Sequence, residues 1–161
     1  MASQQSVSSL MQTIRKQSTH IYQHILYTPI KSSHLTQFEQ KTHRLLPREH
    51  KEFLTVSHGA DLFKRSNIDG FHFLSVNEIE TVRKNLAREY GEDWDDTIIP
   101  FCTIIGEGNT LSFKLSPRDP NTYEILDCFH EVNPSEWQTI DTSFSHFLKT
   151  LIEKNGDKFW L

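Results

Sequence analysis

Residues 99–115, IPFCTIIGEGNTLSFKL, decide how this chain is read, because two strand-like runs meet there at a turn of Gly106, Glu107, Gly108 and Asn109. Upstream of the turn, Ile98, Ile99, Phe101, Ile104 and Ile105 form a mostly apolar run suited to a strand covered on both faces. Downstream, Leu111, Phe113 and Leu115 alternate with Ser112 and Lys114, as in a half-buried strand. Glycine and asparagine tolerate positive φ, so a tight hairpin is the economical reading. A phosphate cradle would need a lysine or serine at P-loop spacing with a helix behind it, and neither follows.

Working outward, the turn-rich SPRDPN at 116–121 leads into TYEILDCFH at 122–130, a third strand in sequence and hence an antiparallel meander. Phe144, Phe147, Leu148, Leu151 and Ile152 then recur at helical spacing, with Asp141 or Thr142 as cap and Asn155-Gly156 as stop. On the N-terminal side, Gly70–Leu74 reads as a short strand. Ser75 and Glu78 form a capping box for a helix lined by Ile79, Val82, Leu86 and Tyr90 and ended by Gly91.

Further back, PREHKEFLTVSH reads as a short helix with Pro47 at its first position, Gly59 as its C-terminal cap and Phe53, Leu54 and Val56 inward. A polar loop is expected between it and Gly70. Ser32 and Ser33 cap a preceding helix that carries Leu35, Phe38 and Leu45 and stops at Leu46. Leu10, Ile14, Ile21 and Ile25 place a helix over 10–27, ended by Pro29. Its apolar stripe could cap the domain, pair with another chain or lie on a membrane surface; packing on its own domain is the ordinary fate of such a stripe. The expected architecture is α+β, a central antiparallel or mixed sheet flanked by helices. Residues 1–31 form an N-terminal extension with an amphipathic helix and 32–161 a single domain.

The 161 residues suffice for one domain with a real core, and eleven Phe, three Trp and four Tyr supply large apolar surfaces. No apolar run is long enough for a transmembrane segment. The two cysteines, Cys102 and Cys128, lie in strand-like runs and read as buried free thiols, and no signal peptide is visible, so a cytoplasmic location is expected. Residues 1–38 hold no acid and only Arg15, Lys16 and Lys31 as strong bases, leaving 14 basic against 21 acidic side chains beyond them. A body of about −7 should repel nucleic acid, so direct nucleic-acid binding is disfavoured.

Nine histidines raise the question of an enzyme or a metal. His20 and His24 stand four apart on the expected first helix, but nothing nearby completes a metal site. His130 and Asp127 would point to opposite faces of a strand. Neither cysteine has the accessible, electropositive setting of a nucleophile, and no GxSxG elbow exists. No catalytic group, metal or cofactor is expected. What remains is an acidic run around two aromatics: Glu89, Tyr90, Glu92, Asp93, Trp94, Asp95 and Asp96. Such a run is commonly a solvated helix end. The alternative is a partner-binding patch in which Tyr90 and Trp94 anchor while Glu92, Asp93, Asp95 and Asp96 steer a basic protein.

Four blocks taken together, LPREHKEFLTVSHGA at 46–60, IPFCTIIGEGNTLSFKL at 99–115, EILDCFHE at 124–131 and DTSFSHFLKTLI at 141–152, resemble the SUKH superfamily, in particular the branch named for a fungal cell-wall-synthesis regulator. The matching positions are Leu46, Pro47 and Gly59, then Gly106, Gly108 and Asn109, then Ser143, Phe144, Phe147 and Leu148. The resemblance covers about residues 33–155. Where members often carry Asn-Gly-Gly after the short helix, this chain has Ser57-His58-Gly59-Ala60, and Ser112 and Lys114 stand where many place an aspartate. The resemblance implies an α+β domain that works by binding a protein. Many bacterial members are predicted immunity proteins that neutralise a cognate polymorphic toxin, often a nuclease, whereas fungal relatives act in cell-wall signalling and viral relatives are linked to countering host defence.

Overall fold

The expected hairpin is formed by β4 (Ile98–Ile104) and β5 (Thr110–Leu115). They belong to a computed structural model that describes residues 5–17 and 20–161. Pro100, which has no N–H to give a ladder, pairs with Ser112, and Cys102 pairs with Leu111, so Phe101 is the extra residue of a β-bulge. The bulge turns Phe101 and Cys102 into the same core. Phe101 stacks on Phe113 with centroids 4.4 Å apart.

Around this hairpin the described residues form β1 (Gln23–Leu26), β2 (Ala60–Arg65), β3 (Asp69–Phe73), β6 (Tyr123–Cys128) and β7 (Gln138–Asp141). The helices are α1 (Val7–Lys16), α2 (Ser32–Thr42), α3 (Arg48–Val56), α4 (Val76–Tyr90) and α5 (Phe144–Glu153). All seven strands lie in one sheet in chain order, each antiparallel to its neighbours. The fold is therefore α+β, and the meander expected from three strands runs through the whole sheet.

Helices α1, α3 and α5 pack on one another and close the main core. Phe144 at the start of α5 meets Phe53 of α3 and Phe73, Phe101 and Phe113 of the sheet. Burying a side chain of this size contributes about 2–3 kcal/mol, which is why the Phe144-Phe147-Leu148 stripe holds α5 in place. By strand alternation, Ile98, Leu126 and Cys128 point away from this core and, with Trp137, form a second cluster on the opposite face.

Several expectations are corrected. The helix over 10–27 ends at Lys16; Val7, Leu10, Met11 and Ile14 are its buried face, whereas Ile21 is exposed and Ile25 belongs to β1. Pairing with β2 outweighs the helical spacing there. The polar loop before Gly70 is largely strand β2, whose Ala60, Asp61, Leu62 and Phe63 are all buried. β7 was likewise unmarked by any alternation of polarity. Lys31, not a serine, is the cap residue of α2, which stops at Thr42 and leaves Leu45 exposed. Pro47 caps α3 from outside, and that helix ends at Ser57 in extended conformation. Gly59 instead immediately precedes β2 at φ 87°, where a Cβ would lie 2.9 Å from the Phe73 carbonyl oxygen. The cap of α5 is Ser143, accepting from the His146 N–H. The capping box of Ser75 and Glu78 and the Gly91 stop of α4 are as expected. No helix among the described residues is long and apolar enough to cross a membrane.

Candidate functional site

At the C-terminal end of α4, Gly91 at φ 54° turns the chain into a single 3-10 turn, Gly91–Asp93, so the acidic residues follow one another around a bend rather than along a helix face. Tyr90 meets Trp137 edge-on at 5.3 Å and Trp94 meets it at 6.4 Å. Both rings are half-buried against the Ile98, Leu126 and Cys128 cluster. The Tyr90 and Trp94 rings thus brace the bend while keeping part of their surface in solvent. The Trp94 Nε1 hydrogen has no acceptor among the described residues.

The four carboxylates differ in what they do. Asp95 accepts from the backbone N–H and hydroxyl of Thr97 at 2.9 and 2.6 Å and lies 3.9 Å from Lys114 Nζ. It shapes the loop. The Asp96 carbonyl oxygen accepts from Arg44 Nη1 at 3.2 Å while the residue stays exposed. Glu92 and Asp93 are exposed and have no ion-pair partner among the described residues. The six residues expected to form a partner-binding patch therefore lie together, with outward charge on Glu92, Asp93 and Asp96.

The turn at Gly106, Glu107, Gly108 and Asn109 has a different chemistry from the one glycine and asparagine suggest. Gly106 and Gly108 have φ of 87° and 77°, but Asn109 does not have positive φ. Its side chain is buried, and Oδ1 accepts from the His130 backbone N–H at 3.1 Å and faces His130 Nδ1 at 2.6 Å. Glu107 in the same turn pairs with Lys158. Leu46, Phe144, Phe147 and Leu148, the apolar matches to the family pattern, all lie in the main core.

One polar constellation escaped the sequence reading because β2 did. His72 on β3 lies across the ladder from Asp61 on β2, with Nδ1 2.6 Å from Asp61 Oδ1 and Nε2 2.7 Å from Glu78 Oε2 at the start of α4. Tyr27 donates its hydroxyl to Asp61 at 3.1 Å. Burial alone would lower the pKa of His72, but the hydrogen bonds and charges of Glu78 and Asp61 outweigh it and raise that pKa. Both ring nitrogens are engaged, so the group ties β2, β3 and α4 together instead of presenting a free base. The signal available in sequence was His72 between Phe71 and Phe73, outward by alternation, six residues before the capping-box glutamate.

His24 is on β1, not on a helix with His20; it accepts the Phe63 N–H at Nδ1 and faces Gln17 at Nε2. His50 is fully buried among Phe101, Phe113 and Phe144, and burial pushes its pKa down to about 3. Burial raises the Cys102 thiol well above its ordinary value and the Cys128 thiol to about 12, so both stay protonated at neutral pH. Among the described residues, no group of three or more His, Cys, Asp or Glu side chains is arranged to hold a metal ion.

A family model described as the SMI1 / KNR4 family (SUKH-1) matches residues 29–150. A protein of Bacillus subtilis (strain 168), named "Uncharacterized protein YobM", is 29% identical over 134 residues, covering 78% of this chain and 67% of that one. Upstream of the family match, α1 and β1 are built into the same core and sheet.

Proposed function

The chain belongs to the SMI1 / KNR4 family (SUKH-1), and on that footing we propose that it is a non-catalytic protein-binding module that acts in the cytoplasm as an immunity protein. Its partner in this reading is a cognate polymorphic toxin, with nucleases the class best matched to an acidic surface. The observation that carries the reading is the bend at Gly91–Asp96, where Glu92, Asp93 and Asp96 project around half-buried Tyr90 and Trp94. A basic groove shaped for nucleic acid would be attracted by these carboxylates and blocked by the body behind them. The aromatic pair supplies a rigid, amphipathic centre of the kind that dominates interface energetics.

The test is association of the full chain with whatever toxin domain a neighbouring reading frame of its native host encodes, followed by stopped-flow mixing. The triple variant Glu92→Gln, Asp93→Asn, Asp96→Asn should slow association about tenfold at low salt and flatten its salt dependence. Asp95 is left intact because it holds Thr97. Failure to protect cells from any neighbouring toxin would remove the immunity reading. A regulatory scaffold for cell-wall or signalling proteins is the other family role. A scaffold working through the N-terminal helix is not favoured, because the apolar face of α1 is already spent on α3 and α5.

A further inference from the structure

A groove of about 840 Å³ lies between α2, the segment before it, and the first half of α4, and Arg44, which reaches both Glu80 on its wall and the Asp96 carbonyl oxygen, separates it from the acidic bend. Buried Ile30 and Val76 and half-buried Phe38 give it an apolar floor. Around them stand Lys31, Lys41, Lys84 and Arg83. The single carboxylate on its wall, Glu80, is already engaged by Arg83 at 3.2 Å and Arg44 at 3.7 Å. Among the described residues Lys31, Lys41 and Lys84 have no carboxylate within ion-pair distance. In a chain of net charge −4, this is a locally basic trough.

The helix end that borders it is charged against the usual rule. Lys31 occupies the N-cap of α2, no side chain caps the first turn, and that turn contains no acid. A cation at the positive end of a helix is unfavourable unless an anion arrives to offset it. His58, which also lines the trough, accepts the Val76 N–H at Nε2 and is kept neutral by burial, so it offers shape and a ring nitrogen rather than charge.

We infer that the α2–α4 groove is a second docking site, for a short acidic peptide segment of a protein partner, with an apolar side chain on the Ile30, Phe38 and Val76 floor and flanking carboxylates on Lys31, Lys41 and Lys84. The volume suits a few residues of extended chain, not a whole helix or domain. A long polyanion is disfavoured because it would also meet the acidic remainder of the surface, whereas a short segment feels only the local field. The rings that line the groove are exposed His34 and half-buried Phe38 and His58, so a single-stranded oligonucleotide is the competitor the test has to include. This inference stands independently of the acidic bend and of the toxin reading.

The test is binding of the full chain to an array of short peptides in which Asp and Glu content and the position of one Leu or Phe are varied. Acid-rich peptides with a central apolar residue should be retained above neutral and basic ones. The double variant Lys41→Glu, Lys84→Glu should weaken the best of them at least tenfold in fluorescence anisotropy. Lys149→Glu on α5, an exposed lysine outside the groove, should leave affinity within twofold. Three results would overturn the inference: no preference for acid-rich peptides, an equal loss in the Lys149→Glu control, or displacement of the peptide by a single-stranded oligonucleotide at equal concentration. Sedimentation velocity adds a fourth. Self-association abolished by the double variant would mean that a second copy's acidic bend occupies the groove instead.

Discussion

Asn109 Oδ1 receives two contacts from one residue, the His130 backbone N–H at 3.1 Å and His130 Nδ1 at 2.6 Å. The asparagine of the β4–β5 turn therefore fastens the end of β6, and the Nδ1 proton of His130 points at it. Asn109→Ala leaves that N–H without its buried acceptor and should cost about 1–3 kcal/mol in urea unfolding. Asn109→Asp keeps an acceptor and should lose less than half as much. Equal losses would mean that the turn is held by its backbone alone.

The two glycines of that turn should separate in their tolerance. Gly106 and Gly108 both have positive φ, but a Cβ on Gly106 would lie 2.3 Å from the Ile68 carbonyl oxygen, while none on Gly108 meets anything within 4 Å. Gly108→Ala should then cost about 1 kcal/mol of backbone strain. Gly106→Ala adds a clash with the β2–β3 turn and should cost at least about twice that, read as the difference in denaturation midpoint.

His50 makes the fold sensitive to acid. Its pKa falls from 6.5 in the unfolded chain to about 3 because burial disfavours the charged ring, and its Nδ1 has no partner among the described residues. The unfolded state therefore takes up the proton first. Stability from this group is complete above pH 6.5 and is lost as pH falls toward 3, at about 1.4 kcal/mol per unit, or about 2 kcal/mol by about pH 5. His50→Leu should flatten this acid limb, and an unchanged slope in a pH series of thermal melts would reject it.

His72 acts in the other direction. Its folded pKa is raised above 6.5, so its contribution is present below pH 6.5 and is lost as pH rises through the raised value. For Glu78 burial acts upward, but the Ser75 N–H and His72 outweigh it and lower the pKa; its contribution is present above 4.5 and lost as pH falls through the lowered value. The tie is strongest between pH 4.5 and 6.5. His72→Gln should cost about 2 kcal/mol near pH 6, where it takes from buried Asp61 its charged imidazole partner and leaves Tyr27 and Lys64 as its side-chain partners among the described residues, and less at about pH 9. A cost that does not fall with rising pH would show that His72 acts only by packing.

Sequence by itself determined the elements whose reasons are local. The hairpin at 99–115 followed from apolar runs around glycines that only a turn explains. The start and stop of α4 followed from Ser75, Glu78 and Gly91, and the buried face of α5 followed from Phe144, Phe147, Leu148 and Leu151. The acidic bend was legible for the same reason, since its residues are contiguous. Tertiary structure alone decided β1, β2 and β7, because a short strand is stabilised by its neighbour across the ladder and not by its own pattern. Asp61 made β2 look like a loop until Tyr27, Lys64 and His72, from three places in the chain, satisfied its charge. The basic groove was hidden likewise: Lys31 and Lys41 lie more than forty residues from Lys84, and only the placing of α2 and α4 on either side of one groove collects their charges around an apolar floor.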